Sequence, residues 1–310
     1  MPTMRMISQR SLGGPEVLEV VAAERPAPGP GEILVRVRAT GLNPADLKVR
    51  SGFIRRFGPP PFTLGHEFSG VVAETGGDAG GFRPGDEVYG WTPPPRGSHA
   101  DYVVVPAAWI AAKPAAVDHI HAAALPIAGL TAWQALVPAG RVRAGQRVLI
   151  HGAAGGVGHF AVQIAHARGA HVIGTARAAK HTFVRDLGAD EVIGREDFTD
   201  LRDIDLVLDT ISGDVGLRSL ATLAPDGVVI DVVGRGFDRT VVKERAAASG
   251  RRFLEVNLEP SPEALTALAA LVDREGLRPC VTETLPLTDA AKAHELCESG
   301  RVRGKVVLVP

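Results

Sequence analysis

The residues best placed by type and spacing to do chemistry lie in "RVLIHGAAGGVGHFAVQIAHARGAHVIGTARAAK", Arg147 to Lys180. The apolar triplet Val148-Leu149-Ile150 leads into the small residues Ala154, Gly155, Gly156 and Val157, and then into a helix-like segment. Small side chains let backbone approach a pyrophosphate closely, and the N–H groups of a helix start favour its negative charge. The strict G-x-G-x-x-G spacing asks for glycine at 153, where Ala153 stands, so the fingerprint is one residue off. A tight strand-to-helix turn without a ligand is the plainer reading; the strand–turn–helix–strand context favours a dinucleotide over it. The next strand, "HVIGTA", selects among dinucleotides. A site for NAD places Asp or Glu about 20 residues past the turn, where it accepts from the ribose 2′-OH. This chain has Thr175, Ala176 and Arg177 there, with Lys180 just beyond. A carboxylate would repel a 2′-phosphate, whereas Arg177 can form a charge-assisted bond to it, so the expected cofactor is NADP(H). The alternative for Arg177 and Lys180 is a pair of solvated charges at a helix start.

Metal chemistry has less to draw on. The only cysteines are Cys280 and Cys297, too few and too late for a zinc lobe or a disulfide framework. His119 and His121 have an i, i+2 spacing that suits neither one helical face nor a standard zinc pattern, and they read as surface residues. With neither a Lewis acid nor a base evident for a hydroxyl proton, alcohol oxidation fits poorly. Tyr102, in "ADYVVVP", is a candidate proton donor, the alternative being a ring packed between strands. Asp209 and Thr210 close the apolar run "DLVLDT", where the carboxyl ends of parallel strands line a ligand groove.

These side chains need a frame. A chain of 310 residues exceeds what one hydrophobic core usually serves, which predicts two domains. Basic and acidic residues balance, 34 against 35, for a formal net charge of −1. No global field gathers nucleic acid or an anionic membrane, so a small ligand is expected. The start "MPTMRMISQR" lacks a signal-peptide core and no apolar run reaches roughly 18 residues, which makes a cytoplasmic protein the expectation. From Met1 to about Ala122 short strands are punctuated by Pro and Gly. In "GEILVRVRAT" Ile33, Val35, Val37 and Ala39 alternate with Arg36 and Arg38, the period of a strand with one wet face. From "HAAALPIAGLTAWQAL" onward the texture changes. "RVLIHG", "HVIGTA", "DEVIG", "DLVLDT" and "GVVIDVVG" are brief β-branched runs separated by helix-sized segments, as in a parallel sheet buried on both faces. "FLEVNLEP" suggests one more strand. In "SPEALTALAALVDREG" Ser261 is placed to cap a helix that starts at Pro262 and carries Leu265, Leu268 and Val272 on one face. The tail returns to strand, helix and strand.

Nine motifs occur in order along the chain: "GGPEVLEV", "GLNPADLKVRSG", "LGHEFSGVV", "GDEVYG", "ADYVVVP", "ALPIAGLTAWQAL", "GAAGGVG", "LGADEVI" and "GKVVLV". Together they resemble the medium-chain dehydrogenase/reductase superfamily, in its zinc-independent quinone oxidoreductase and enone (alkenal) reductase branch. The resemblance implies an α/β fold with a GroES-like β-barrel domain over 1–122 and 277–310, and a Rossmann doubly wound parallel sheet over 123–276 that binds NADP. It also implies a homodimer acting on a small quinone or enone, with no nucleic acid or membrane partner. Alcohol dehydrogenases of the superfamily hold a catalytic zinc through a Cys in the segment matching "GLNPADL", a His in "GHE" and a later Cys or acid. This chain has Asn43, then His66 and Glu67, and no Cys before position 280, which implies loss of the metal, with His66 and Glu67 kept for packing and hydrogen bonding. By the same resemblance Asn43 is a catalytic donor beside the nicotinamide. Lys48, where many quinone reductases carry Tyr and similar enone reductases Lys, stabilises the developing oxyanion; the alternative is a surface amine. Thr131, Val233 and Gly234 match segments that touch the nicotinamide end, the alternative being packing. Arg303 and Lys305 read as solvated charges, the alternative being added charge at the cofactor site. Two other readings stay open: a zinc-type alcohol dehydrogenase, and an NADPH-binding protein without turnover.

Overall fold

The computed structural model describes residues 2–55, 58–92, 95–233, 238–259 and 261–310. The chain divides into two compact units, one of residues 1–127 with 260–310 and the other of residues 128–259. It opens with the antiparallel pair β1 (Thr3–Gln9) and β2 (Leu18–Glu24). Then follow β3 (Glu32–Gly41), α1 (Pro44–Arg50), β4 (Glu67–Thr75), β5 (Glu87–Trp91), β6 (Tyr102–Pro106) and β7 (Ile110–Ala112). Helices α2 (His119–Ala122) and α3 (Pro126–Gln134) lead to β8 (Arg147–Ile150), α4 (Gly158–Ala167), β9 (His171–Thr175), α5 (His181–Asp186) and β10 (Glu191–Ile193). Next come β11 (Ile204–Asp209), α6 (Val215–Ser219), β12 (Leu223–Asp231), α7 (Thr240–Ala248) and β13 (Arg252–Glu255). The last elements are α8 (Pro262–Glu275), β14 (Val281–Pro286), α9 (Ala290–Glu298) and β15 (Lys305–Val309).

The first unit is organised on β3. Its sheet runs β14-β15-β3-β4-β5-β7, with β6 also paired to β3. Val35, Val37 and Ala39 point into the core while Arg36 and Arg38 are exposed, as alternation requires. Leu34 is buried as well, because the register with β4 shifts between Leu34 and Val35. Ile33, Val35, Phe68, Val88, Val103 and Ile110 fill the core between the strands. β15 joins the far end of β3, pairing Val307 with Gly41 and Leu308 with Thr40. Helix α8 belongs to this unit as well, not with residues 123–276 where the resemblance placed it. The Tyr89 hydroxyl donates to Leu265 O (2.5 Å), and the Asp273 carboxylate accepts from the N–H groups of Ala115 and Ala116. Its local design is as expected: Ser261 Oγ accepts from Ala264 N, Leu265, Leu268 and Val272 are buried, and Gly276 ends it with φ +72°.

The second unit is a six-stranded sheet, parallel throughout, in the order β10-β9-β8-β11-β12-β13. Counted within the unit this is 3-2-1-4-5-6, the doubly wound dinucleotide-binding order. Its strand direction of progress reverses between β8 and β11, and ligands bind beyond the carboxyl ends of strands at such a switch. Leu149, Ile173, Val207 and Val229, one from each central strand, are fully buried between the helical layers. Each such side chain contributes about 1.5–3 kcal/mol, which is why these strands are apolar runs and not alternating ones. Among the described residues no helix is long and apolar enough to cross a membrane.

Candidate functional site

The turn after β8 is made by Gly152, whose φ of +63° lies in the left-handed region. Ala153, the departure from the glycine fingerprint, is fully buried and its N–H donates to Thr175 O (3.1 Å). Room for its methyl comes from β9: a Cβ on Gly174 would lie 2.9 Å from the Ala153 Cβ and 2.8 Å from Val184. The space that a first glycine would leave is thus supplied by a glycine on the neighbouring strand. Gly158 lets α4 close on the turn, since a Cβ there would lie 2.2 Å from Gly152 O. Gly155 differs, because a Cβ there would meet only Gly152 O, at 3.2 Å. Open space over Gly155, flanked by half-buried Gly156 and Val157 and by Ala154 (4% exposed), fits close approach of a phosphate at the start of a ten-residue helix.

A buried neutral relay holds this turn. Ser219 Oγ donates to Val215 O (2.7 Å), so it accepts from His151 Nε2 (2.9 Å). His151 Nδ1 is then an acceptor and takes the Thr175 hydroxyl (3.3 Å), whose oxygen accepts from Gly152 N (3.3 Å). Burial, aided by the Arg218 charge, lowers the His151 pKa to about 3, in agreement with the neutral tautomer. Thr210 Oγ1 donates to His151 O (2.7 Å). Asp209 turns its Oδ1 to the N–H groups of Ile211 and Ser212, so its carboxylate shapes the loop beyond β11. Burial raises its pKa against the pull of those two donors. Arg177, exposed, follows β9 and accepts from Lys180 N through its carbonyl (2.8 Å), which puts both basic residues in one short turn. Thr131 is buried on α3. Val233 N donates to Asp231, itself paired with Arg239 at 2.7 Å. Gly234 lies outside the described residues. The glycine turn, the helix start and the two basic residues fit a phosphorylated dinucleotide.

In the first unit the structure draws together residues distant in the chain. Asn43 caps α1 ahead of Pro44, and its N–H donates to Asp46 Oδ2 (2.8 Å). Its amide is buried between opposite charges. Lys305 Nζ donates to Asn43 Oδ1 (2.5 Å) and Leu42 O (2.8 Å) and lies 2.7 Å from Glu67 Oε1. Asn43 Nδ2 donates to the same Glu67 oxygen (2.9 Å), and Ile127 N to Glu67 Oε2 (2.7 Å). Lys305 is therefore not a solvated charge. It is 3% exposed, and its three donors meet three acceptors, the condition under which a buried ion pair is tolerated. Gly41 makes the room, since a Cβ there would lie 2.2 Å from Glu67 Oε1.

Beside this network Asp46 Oδ1 accepts from Gly65 N (2.9 Å) and pairs with His66 Nδ1 (2.8 Å). Burial alone would raise the Asp46 pKa, but the charge and hydrogen bond of His66 hold it below the carboxylate range. Arg50, buried, donates to His294 Nδ1 (3.0 Å) and pairs with Glu298. Burial lowers the His294 pKa to about 3. His119, expected at the surface, is half-buried between Ser69 (2.8 Å) and Glu87 (3.2 Å), whereas the His121 side chain is 44% exposed. Lys48 is half-buried on α1, one residue before Val49, which helps line a cavity of about 380 Å³ with Leu12, Ile54, Arg55, Pro59 and Phe62. Tyr102 is not brought to Asn43. It pairs with Arg36 on β3 under the Arg25 guanidinium (4.6 Å), five residues and roughly 17 Å of strand before Gly41.

The donors do not fit a zinc ion. Both Glu67 oxygens are taken by N–H donors and one faces an ammonium; Asn43 offers a neutral amide whose oxygen is also on that ammonium. Among the described residues no group of three or more His, Cys, Asp or Glu side chains could hold a metal. Sequence reasoning missed the joint role of Gly41, Glu67 and Lys305; the one signal was a Gly-Lys pair opening an apolar strand.

Residues 29–115 match the alcohol dehydrogenase GroES-like domain, and residues 187–308 match the zinc-binding dehydrogenase family. The chain is 30% identical to the quinone oxidoreductase of Homo sapiens, across 99% of its own length and 98% of that protein. It is 33% identical to the NAD(P)H oxidoreductase RTN4IP1, mitochondrial, of Danio rerio, over 90% of this chain and 84% of that one. The solved structure of the quinone oxidoreductase from Coxiella burnetii superposes with a TM-score of 0.93 at 36% identity, covering 100% of both chains. A doubly wound sheet joined to a GroES-like unit, with such relatives, defines an oxidoreductase of quinone oxidoreductase type. The chain belongs to the medium-chain dehydrogenase/reductase superfamily.

Proposed function

We propose that this protein is an NADPH-dependent, zinc-independent reductase that transfers hydride to a quinone or an α,β-unsaturated carbonyl compound. The observation that carries the reading is the Lys305–Asn43–Glu67 network, a fixed amide and a built-in cation in the segments where superfamily alcohol dehydrogenases place zinc ligands. NADPH, when bound, supplies the hydride. Ala154, Gly155, Gly156 and Val157 receive the pyrophosphate; Arg177 and Lys180 take the 2′-phosphate end, buried Thr175 holds the turn through His151 and Gly152 and does not reach the phosphate itself, and Asp209 and Thr210 border the groove. Thr131, Val233 and Gly234 serve the nicotinamide end. As the acceptor carbon gains hydride its oxygen gains negative charge, which the Lys48 ammonium and the remaining Asn43 amide N–H offset, and a solvent proton completes the reduction. Electrostatic stabilisation of this kind is worth about 2.7–4 kcal/mol per donor in comparable sites.

The test is oxidation of NADPH and of NADH, followed optically in chelator, against an ortho-quinone, a para-quinone, a simple enone and a simple aldehyde. The expected result is NADPH consumption with a quinone or the enone and not with the aldehyde. Turnover only of the aldehyde, restored by zinc, would move the protein to the alcohol dehydrogenases. Tight NADPH binding without turnover on any acceptor would make it a binding protein.

A further inference from the structure

Asn43 has a symmetric-looking side chain with two unlike ends, and hydrogen bonding at only one end would leave its orientation open. Here both ends are read. Lys305 Nζ has only donors and faces Oδ1 at 2.5 Å; the Glu67 carboxylate has only acceptors and faces Nδ2 at 2.9 Å. Flipping the amide would set N–H against ammonium and oxygen against carboxylate, in a site where Asn43, Glu67 and Lys305 are all buried and water cannot take either role.

We infer that Lys305 is a positioning residue: with Glu67 it locks the Asn43 amide in one orientation, leaving the second Nδ2 hydrogen as the donor to the acceptor oxygen. The inference rests on the functional reading above for what that hydrogen meets, but the locking itself is independent of turnover. Lys305 also fixes the chain around Asn43, because it donates to Leu42 O, the preceding carbonyl. Glu67 is in turn anchored by Ile127 N, so the pair cannot drift together. The three acceptors of the ammonium are all protein oxygens, those of Leu42, Asn43 and Glu67, so its effect runs through the amide it holds.

The chain contains two asparagines, Asn43 and Asn257, so selective 15N-asparagine labelling yields two side-chain amide signals and a direct readout. In the full-length wild type the Asn43 NH2 pair is expected as one sharp, exchange-protected set. In Lys305→Met, which keeps most of the side-chain length without the charge, the pair is expected to double or broaden while Asn257 is unmoved. In turnover with NADPH and the best acceptor from the panel, Lys305→Met is expected to lose at least tenfold in kcat with KM for NADPH and the NADPH Kd little changed. Lys305→Ala provides the second variant: ethylammonium ion, and not ethanol, is expected to restore part of its kcat. An unchanged Asn43 signal in folded Lys305→Met overturns the inference, as does a kcat loss that ethanol restores equally well. Failure of both variants to fold overturns it too, leaving Lys305 as a stability residue only. A wild type that oxidises NADPH with no acceptor removes the functional reading, and the labelled amide still decides the locking.

Discussion

Gly155 and Gly158, three residues apart in the turn proposed for the pyrophosphate, distinguish packing of the unit from cofactor binding. In Gly158→Ala the new Cβ would lie 2.2 Å from Gly152 O and 2.8 Å from Ala153 Cα. Both are backbone atoms that cannot rotate aside, so α4 must move off the turn, at an overpacking cost of about 3 kcal/mol. Helix propensity returns up to about 1 kcal/mol, leaving a net loss of about 2 kcal/mol and roughly 4–8 °C in Tm. In Gly155→Ala the only contact within reach is Gly152 O at 3.2 Å, and the residue lies outside the left-handed region. Strain there is offset by reduced freedom of the unfolded chain, so Tm changes by little. The methyl does fill the space through which a phosphate would approach, and loss of one charge-assisted bond of about 1.5–3 kcal/mol weakens NADPH roughly 10- to 150-fold. Thermal melts and fluorescence titration with NADPH measure both effects on the same samples. A Gly155→Ala protein that binds NADPH as the wild type does would refute the assignment of this turn to the cofactor, and a Gly158→Ala protein with wild-type Tm would refute the tight packing.

Arg177→Ala is expected to weaken NADPH roughly 10- to 150-fold and NADH little, because one charge-assisted bond to the 2′-phosphate is removed; equal losses for the two cofactors would contradict it. Acid is expected to destabilise the fold through His151 and His294, both lowered to about 3 by burial. A histidine depressed in the folded state gives its full stabilisation above the unfolded value near 6.5 and loses it as the pH falls towards the folded value, at up to about 1.4 kcal/mol per pH unit. Melts between those limits should therefore fall with pH, and His151→Gln should flatten the slope; an unchanged slope would show that His151 is not held neutral. Chelator is expected to leave NADPH oxidation unchanged, since the Glu67 oxygens are committed to Lys305, Asn43 and Ile127; a loss reversed by zinc would count against the donor assignment.

Much of the frame was legible because buried parallel strands must be apolar and helix ends must be capped. The runs at Val148, Val172 and Leu206 became central strands, and Ser261, Pro262 and Gly276 bound their helix as local chemistry dictates. The glycine turn was legible in place but not in design. Ala153 read as a flaw, and only the pairing of β8 with β9 shows Gly174 making room for its methyl. Lys305 was misread for a different reason. A lysine before an apolar strand looks like the wet end of an edge, and its partners Asn43 and Leu42 lie 262 and 263 residues away. Helix α8 was placed with the Rossmann segment by resemblance, whereas the Tyr89 hydroxyl and the Asp273 carboxylate set its company by contact.

The pairing of β15 with β3 has a consequence for how the molecule assembles in time. Residues 128–259 form their unit from one continuous stretch, but the other unit must join residues on both sides of that stretch. Closing so long a loop adds only about 0.6 kcal/mol for each doubling of its length, so the insertion is cheap at equilibrium. Its burden falls on rate, since contacts of high sequence separation form slowly. Until the last strand arrives, Glu67 has no ammonium beside it and the Thr40–Gly41 end of β3 is paired on one side only, to β4. The amide hydrogens of Leu42 and the β15 strand should accordingly be among the last to gain protection in pulsed exchange during refolding, so that the Asn43 amide is set only when the rest of the protein is already in place.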